Sequence, residues 1–304
     1  MKFLVQVNSK YKIEHDFGQK IVEMYEKFME WSPTNFGDWK VELVSIEQLP
    51  ARCTSIPDIS SWTPVGSIPF VSEFVRIVFN DTLPEPLNVP EELMSEYYTG
   101  RTCRNIHSCK DAEELLEYVK LHRTTQSTGS TRFFVKSNDI IKDPDNGFYD
   151  VIPDNKDGSG RMTCEARFQA CAGGGQTVHK IFKSKAVPFF VGCQVSTVLD
   201  EIISEWRVFV YKGKGVGVEN YSGDPFKFPN VDRINKFIEA FKSAPEAYTL
   251  DVAVTEGGTW VIECHDFFSC GLYGWEDYRN YPYMLNRAWF NIVQENYRNN
   301  NDKL

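Results

Sequence analysis

The pattern of residues 248–265 decides how the second half of this chain is expected to fold. The stretch reads Tyr-Thr-Leu-Asp-Val-Ala-Val-Thr-Glu-Gly-Gly-Thr-Trp-Val-Ile-Glu-Cys-His. Apolar and polar residues alternate on both sides of Gly257 and Gly258, which is typical of two antiparallel strands joined by a tight turn. Because successive strand residues point to opposite faces, Asp251 is expected on the face opposite to its apolar neighbours.

The register of this hairpin decides which side chains meet. A loop of the two glycines alone would pair Asp251 with Cys264, whereas a three-residue loop, 256–258, pairs Asp251 with Glu263. Glycine in a left-handed position is common in three-residue loops. We predict this loop because it places the large apolar residues of both strands on one face, where they can be buried together. On the second strand that face would comprise Trp260, Ile262 and Cys264.

Two carboxylates directly opposite each other in a ladder repel. The cost lies in the range of cross-strand pair effects, roughly 0.2–1 kcal/mol, and rises where water is excluded. A divalent cation bound by Asp251 and Glu263 would offset it, and oxygen ligands with open positions suit Mg²⁺ shared with phosphates. Alternatively, both acids lie on a solvated outer face. The spacing alone leaves these two interpretations equally open.

Composition excludes several classes of protein. The 304 residues contain 33 Lys and Arg against 42 Asp and Glu, a net charge of −9. Such a chain is a poor candidate for binding duplex DNA or an anionic membrane, although a few basic residues suffice to bind a nucleotide. We find no apolar run of membrane-spanning length and no signal-peptide core in the first residues, and therefore expect a cytoplasmic protein.

The eight cysteines do not indicate a zinc site or a nucleophile. None of them forms a Cys-x-x-Cys pair, so a structural zinc ribbon has no support. His265 follows Cys264, but neighbouring strand residues point to opposite faces, which disfavours a Cys–His dyad.

The chain divides by its hydrophobic patterns into an α/β part and a sheet-rich α+β part. In the first, strands are predicted at 3–7, 39–46 and 73–79, with a helix ending near Trp31. After a polar linker at 124–131, strands are predicted at 132–137, 189–195, 205–211, 248–254 and 259–265. A helix capped by Asn230 or Asp232 presents apolar residues from 234 to 241, and the end of the chain, 281–297, is predicted to be helical.

Two basic residues stand in unusually apolar strands. Arg207 in Glu-Trp-Arg-Val-Phe-Val-Tyr needs a planar anionic partner, which is either a phosphate or a carboxylate such as Glu205. Lys136 ends the apolar run Arg-Phe-Phe-Val-Lys, with Lys142 shortly after it. A lysine there either reaches a phosphate or extends to water.

Taken in order, these segments resemble the ATP-grasp superfamily, and in particular its R2K clade of phage and bacterial proteins. The resemblance covers roughly residues 130–275. It is carried by Phe-Phe-Val-Lys136, Gly-Cys-Gln-Val195-Ser-Thr-Val198, Glu-Trp-Arg207-Val-Phe-Val, Leu-Asp251-Val and Val-Ile-Glu263-Cys-His265-Asp-Phe-Phe-Ser-Cys-Gly-Leu-Tyr-Gly.

The resemblance implies an ATP-grasp fold, in which two β-rich lobes clasp ATP. Residues 1–125 would form an α/β preATP-grasp subdomain and residues 126–304 the ATP-grasp domain. Within that domain, 126–198 would be the N-terminal lobe and 199–304 the C-terminal lobe with the metal site.

The resemblance also implies roles for individual residues. Those expected to contact ATP are Lys136, Lys142, Gln194, Val195, Ser196, Val198 and Arg207, with Lys136 and Arg207 also catalytic. Asp251 and Glu263 would hold Mg²⁺. His265 stands where the superfamily usually has Asn and would be the third ligand; alternatively it hydrogen-bonds a phosphate, or Asp266 takes part. The glycine groups at 158–160 and 173–175 would cover phosphates through their backbone N–H groups, although ordinary turns explain them equally well.

The activity implied is that of an ATP-dependent carboxylate–amine ligase that forms an acyl phosphate and releases ADP and phosphate. Its partners would be ATP and an unidentified acid and amine: an amino acid, a peptide or a protein. It would act in the cytoplasm, that of the host if a phage encodes it. The alternatives are a kinase on the same scaffold, or a nucleotide-binding or interaction module without turnover, which the replacement of Asn by His265 suggests.

Overall fold

The structure is a computed structural model. It describes residues 1–8, 12–31, 39–83, 87–99, 106–110, 114, 118, 131–137, 147–153, 164–170, 176–181, 193–197, 199, 202–267, 270–277 and 279–301.

A small parallel sheet with flanking helices forms the N-terminal part. The strands, in spatial order β2-β1-β3, are β1 (Lys2–Gln6), β2 (Lys40–Val44) and β3 (Thr63–Val65). The helices are α1 (Lys12–Trp31), α2 (Leu49–Ser55) and α3 (Ile68–Phe79). Phe3 and Val5 pack with Ile21 of α1, whereas Leu4 points the other way and packs with Phe74 of α3. The predicted α/β character and the first helix are confirmed.

Helix α3 corrects one prediction, because its residues 73–79 were expected to form a strand. Proline stands in its first turn, and the Ser67 hydroxyl accepts the N–H of Phe70 at 3.4 Å, so the start of the helix is well capped. Burial then follows a helical spacing, with Phe70, Val71, Phe74 and Val75 fully buried. Tertiary packing thus overrides the strand preference of a segment rich in β-branched and aromatic residues.

The middle of the chain forms a six-stranded antiparallel sheet in the order β4-β9-β5-β6-β7-β8. The strands are β4 (Ile106–Cys109), β5 (Thr131–Ser137), β6 (Gly147–Pro153), β7 (Cys164–Ala170), β8 (Gln176–Ile181) and β9 (Cys193–Thr197). A short helix, α4 (Glu96–Thr99), precedes them. Strand β4 comes from the segment assigned by resemblance to the first subdomain; the limits at 125/126 and 198/199 stay predictions.

The second sheet of the predicted ATP-grasp domain has four antiparallel strands in the order β11-β10-β12-β13. They are β10 (Ser204–Tyr211), β11 (Lys214–Gly223), β12 (Ala247–Thr255) and β13 (Gly258–Asp266). One face packs on α5 (Val231–Ala240), where Val208 and Leu250 join Phe237 in a common core. The predicted cap of α5 is confirmed, since the Asn230 side chain accepts the N–H of Arg233 at 2.9 Å.

The opposite face of this sheet is held against the N-terminal sheet by α6 (Tyr281–Asn301), in agreement with the helix predicted at the end of the chain. Tyr281 of α6 packs in one cluster with Phe209 and Phe3, and Trp289 packs in another with Phe74. Burying each of these large side chains contributes roughly 1.5–3 kcal/mol. The site described next lies on this face of the four-stranded sheet, beyond its apolar part.

Candidate functional site

The hairpin of β12 and β13 places Asp251 directly opposite Glu263, as predicted, but through a different turn. Thr255 pairs with Gly258, so the loop has two residues rather than three. Between the loop and the acids the register shifts, because Val252 pairs with Val261 while Asp251 pairs with Glu263. Ile262 is therefore the extra residue of a β-bulge, and the bulge restores the acid pairing that a two-residue loop alone would lose.

The bulge also changes which residues of β13 face the core. Val261 and Cys264 are both fully buried and share a cluster with Leu250. Trp260 and Ile262 are only half-buried. The apolar face predicted for this strand is thus correct for Cys264 and wrong for Trp260 and Ile262, since the extra residue inverts the alternation between the two ends of the strand.

The buried part of the site is a two-pronged ion pair. Strands β10 and β12 place Arg207 opposite Asp251. The guanidinium Nε donates to Oδ1 at 2.9 Å and Nη2 donates to Oδ2 at 2.8 Å, while Nη1 donates to the carbonyl of Gly271 at 3.1 Å. Arg207 and Asp251 are only 5% and 2% exposed. Of the anionic partners expected for Arg207, the structure shows a carboxylate, and it is Asp251 rather than Glu205.

Two tyrosines enclose the guanidinium of Arg207. Its Cζ lies 5.1 Å from the ring centre of Tyr273 and 5.9 Å from that of Tyr221, and these two rings stack at 5.2 Å. Tyr221 stands at a bulge of β11, and Tyr273 has a left-handed φ of 52°. Together with Asp251 they form a charged, aromatic-lined environment that fixes the arginine.

The electrostatics keep the Arg207 guanidinium protonated. Burial by itself lowers the pKa of Arg207, but the hydrogen bonds and negative charge of Asp251 raise it well above its usual value overall. Burial, followed by the Asp251 carboxylate, raises the pKa of Tyr221 strongly, so that its phenol stays protonated. Burial raises the pKa of the neighbouring Cys270 thiol to about 12, which makes this cysteine unsuitable as a nucleophile.

The more exposed part of the site is formed by Glu263 and His265, two residues apart on β13 and therefore on the same face. His265 Nε2 lies 2.8 Å from Glu263 Oε2 and 3.7 Å from Asp251 Oδ2. The side chains of Glu263 and His265 are 27% and 31% exposed. The solvated-face alternative is therefore wrong for Asp251, and Arg207 already offsets part of the repulsion expected between the acids.

The donor atoms of this cluster fit a divalent cation. One carboxylate oxygen each from Asp251 and Glu263 and one ring nitrogen of His265 lie within 4.8 Å of one another. Oxygen and imidazole donors at such separations can converge on one ion, and the partial exposure of two of them leaves room for other ligands such as water or phosphate oxygens. The three residues predicted to hold the metal are thus brought together.

The predicted nucleotide-binding residues are described only in part. Gln194, Val195 and Ser196 are buried in β9, which pairs with β4 on one side and β5 on the other. The Gln194 side chain binds the backbone of Val89, donating to its carbonyl at 2.8 Å and accepting its N–H at 3.3 Å. Their predicted contact with ATP stays a prediction.

The remaining predicted contacts to phosphate are not tested by the structure. Lys136 occupies the position of β5 opposite Gln194. Lys142, Val198 and both glycine groups, at 158–160 and 173–175, lie outside the described residues.

Several residues around the site were not identified from the sequence. They are Tyr221, Tyr273, the carbonyl of Gly271, and Thr249, which stands opposite His265 in the ladder. The segment Gly-Leu-Tyr-Gly, 271–274, was noted within the family motif without a role, and this was the available indication for Tyr273. Tyr221 had none, because its ring reaches Arg207 through a bulge that no local pattern marks.

Comparison with solved structures finds proteins of similar chain length at low identity. The D-alanine–D-alanine ligase from Bacillus anthracis aligns with a TM-score of 0.46 and 10% identity, over 97% of this chain and 98% of that one. The macrocyclase MdnC from Microcystis aeruginosa MRC, solved with precursor peptide MdnA, aligns with a TM-score of 0.41 and 9% identity, over 97% and 100%. At these values the similarities carry no inference about activity. No curated protein matches the chain.

A family match is found where the site lies. Residues 192–282 match the ATP-grasp domain of R2K clade family 2. No helix among the described residues is both long and apolar enough to cross a membrane. The match spans β10 to β13 and thus includes the whole cluster of Arg207, Asp251, Glu263 and His265. This match agrees with the resemblance to the R2K clade of the ATP-grasp superfamily that the sequence motifs indicated, over the segment that carries the cluster.

Proposed function

We propose that this protein is an ATP-dependent ligase that joins a carboxylate to an amine. A carboxylate oxygen of the acid attacks the γ-phosphorus of ATP, the bond between that phosphorus and the β–γ bridging oxygen breaks, and ADP leaves. The amine then attacks the carbonyl carbon of the acyl phosphate. The carbon–oxygen bond to phosphate breaks, inorganic phosphate leaves, and the amine nitrogen loses a proton to give an amide.

In this proposal Asp251, Glu263 and His265 hold the Mg²⁺ that accompanies ATP. When bound, Mg²⁺ supplies positive charge that neutralises the phosphate oxygens during transfer. The protein's own contribution is to fix these ligands in place. Arg207 holds both oxygens of Asp251, and the strand pairing sets Asp251 opposite Glu263, so little rearrangement is needed when the nucleotide arrives.

Basic residues complete the proposed phosphate site. An arginine has five N–H donors, and Arg207 uses three of them on Asp251 and Gly271 and also hydrogen-bonds the Cys270 side chain. In this proposal, the donor capacity that remains on the guanidinium binds an oxygen of the γ-phosphate or of the acyl phosphate. Lys136 and Lys142 are proposed to contact the ATP phosphates. The cytoplasmic location predicted above belongs to this proposal, because ATP is available there.

The observation that carries the proposal is the convergence of two carboxylates, an imidazole and a buried arginine inside the segment that matches the ATP-grasp domain. The family match supports ATP as a ligand. The cluster provides the charges that a transferred phosphoryl group needs.

The test is to incubate the protein with ATP, MgCl₂ and pooled amino acids and peptides, and to follow nucleotides and new masses together. The proposal expects ADP, phosphate and a product whose mass equals acid plus amine minus water. The control is Glu263→Gln, which should abolish turnover. AMP and pyrophosphate as products would contradict the acyl phosphate. A stable phosphorylated product formed without an amine would instead show a kinase.

A nucleotide-binding module without turnover is the second candidate. It is favoured by the burial of Arg207, which is 5% exposed and already bound to Asp251. In that case Mg-ATP should raise the melting temperature without ADP forming on any substrate pool. A ligand at a hundredfold excess over its Kd stabilises the folded state by about 2.7 kcal/mol, which a thermal shift detects readily.

A further inference from the structure

The imidazole in the cluster changes which metal the site should prefer. We infer that this site binds a divalent transition metal such as Mn²⁺ in preference to Mg²⁺, with His265 Nε2 as a ligand and Thr249 as the residue that orients its ring. The inference rests on the metal set of the proposed function. It concerns metal binding rather than turnover, so the metal preference and the proposed ligase activity can be refuted separately.

The position of His265 makes its ring a part of the cluster. It is two residues from Glu263 on β13, and its Nε2 lies 2.8 Å and 3.7 Å from the oxygens of Glu263 and Asp251. A cation held between the two carboxylates therefore has this nitrogen within reach. Nε2 is also the nitrogen nearest to both acids, so an ion that binds both acids and avoids His265 would have to displace its ring.

Thr249 provides a second, independent observation. It is fully buried, and its Oγ1 has no hydrogen-bond partner among the described residues. Thr249 pairs with His265 across the ladder, next to the pair of Asp251 and Glu263. Side chains directly opposite each other in antiparallel strands have Cβ atoms about 4.5–5.5 Å apart, which places the hydroxyl within reach of the imidazole.

A buried hydroxyl without a partner costs free energy unless a ligand or a changed neighbour satisfies it. A histidine that binds a metal through one ring nitrogen almost always donates the N–H of the other to a nearby acceptor. With Nε2 on the metal, the proton is on Nδ1, and Thr249 Oγ1 is the acceptor that the ladder provides. The unpartnered hydroxyl is thus explained by a metal-bound state of His265.

The chemistry of the donor set then selects the metal. Mg²⁺ is small and hard, binds oxygen in a strict octahedron and loses water reluctantly. Imidazole suits transition metals such as Zn²⁺, Fe²⁺ and Ni²⁺, whereas carboxylates suit Mg²⁺, Ca²⁺ and Mn²⁺; Mn²⁺ is the transition metal in the carboxylate-binding group. Two carboxylates with one imidazole therefore favour Mn²⁺ over Mg²⁺ more than an all-oxygen set would.

The test measures metal binding directly, on the whole protein without nucleotide. MnCl₂ is titrated into the protein, and free Mn²⁺ is followed by its room-temperature EPR signal, with MgCl₂ added as competitor. Pulsed EPR on the bound Mn²⁺ then detects the ¹⁴N coupling of a directly bound imidazole. We expect saturable binding of one Mn²⁺, the imidazole coupling, and displacement only by a molar excess of MgCl₂.

Two variants test the roles of His265 and Thr249, and a third serves as the control. His265→Asn should lose the imidazole coupling and bind Mn²⁺ more weakly by at least ~10-fold. The difference between its affinities for Mn²⁺ and Mg²⁺ should also be smaller than in the wild type. Thr249→Val keeps the shape of the side chain and should weaken Mn²⁺ binding by ~10-fold. This is the lower end of the loss in metal affinity seen when a residue that hydrogen-bonds a metal ligand is replaced. His107→Asn alters an exposed histidine of β4, on a different sheet, and should bind Mn²⁺ like the wild type.

Several results would overturn the inference. One is displacement of half of the bound Mn²⁺ when MgCl₂ is present at the same concentration as MnCl₂. The others are absence of the imidazole coupling in the wild type, or unchanged Mn²⁺ binding by a folded His265→Asn variant. A Thr249→Val protein that binds Mn²⁺ like the wild type would overturn the orienting role. Mn²⁺ selectivity without any amide product would leave the inference standing and refute the proposed ligase.

Discussion

The site consists of two acid–base pairs that differ in burial. The inner pair, Arg207 and Asp251, is almost completely buried, has two parallel hydrogen bonds and is enclosed by tyrosine rings. The outer pair, Glu263 and His265, is joined by a single contact of 2.8 Å, and about a third of each side chain is exposed. Both pairs lie on the same face of the same sheet, and their acids are direct neighbours.

This difference separates what the two pairs contribute to stability. A buried charge whose partner is removed is left without compensation by water, so losing one member of the inner pair should destabilise the sheet strongly. An exposed pair contributes little to stability. The contact between its two side chains can therefore be replaced by contacts to a ligand with little loss of free energy. The inner pair therefore serves as the fixed frame, and the outer pair as the part that responds to metal and nucleotide.

The largest expected effect comes from breaking the inner pair. Arg207→Met leaves the Asp251 carboxylate buried without its counter-charge and should lower the free energy of unfolding by about 3–5 kcal/mol. Urea denaturation followed by circular dichroism measures this.

The matched control is the double variant Arg207→Met with Asp251→Leu, in which no charge is left behind. It should recover much of the lost stability, since apolar replacement of a buried pair is often neutral. Equal stability of the single and double variants would show that the inner pair is not the frame we describe.

The next effect is a loss of stability at alkaline pH through Tyr221 beside the inner pair. Its pKa is raised by burial and then by Asp251, so above pH 10 the unfolded chain loses the phenolic proton while the folded protein keeps it. Stability is therefore full below pH 10 and falls as the pH rises, by up to about 1.4 kcal/mol per pH unit for this group. Tyr221→Phe should make the fall shallower in urea titrations at pH 9 to 11. Identical slopes would contradict the assignment.

The smallest effect on stability is expected at the outer pair. Glu263→Gln should change the free energy of unfolding by less than about 1 kcal/mol, because the pair is partly solvated. The same variant should lose the thermal stabilisation that Mg-ADP or Mn-ADP gives to the wild type. A large loss of stability in this variant would show that the outer pair, like the inner pair, is needed for the stability of the fold.

The sequence predicted the chemistry of the site better than its local geometry. Alternation along β12 was enough to place Asp251 on the face opposite to its apolar neighbours, because the period of a strand is read directly from its residues. The pairing of Asp251 with Glu263 was also predicted correctly. The three-residue loop expected to produce it was wrong, since burial constrains which residues face inward but does not distinguish a longer loop from a bulge.

Other features depend on contacts that local patterns do not contain. The strand expected at 73–79 is part of α3 because Phe70 and Phe74 find a core supplied by β1 and by Trp289, more than two hundred residues away. Tyr221 and Tyr273 reach Arg207 through a bulge and a left-handed residue, respectively. Such positions become visible only when the strands are assembled.

The bulge at Ile262 has a consequence for how this hairpin tolerates change. A two-residue turn with the bulge and a three-residue turn without it both bring Asp251 opposite Glu263; they differ only in the pairing between Val252 and the turn. Removing Ile262 altogether would also keep the two acids opposite each other. The hairpin can therefore shift its pairing near the turn, or lose the residue at the bulge, while the acids stay aligned, which buffers the site against such changes.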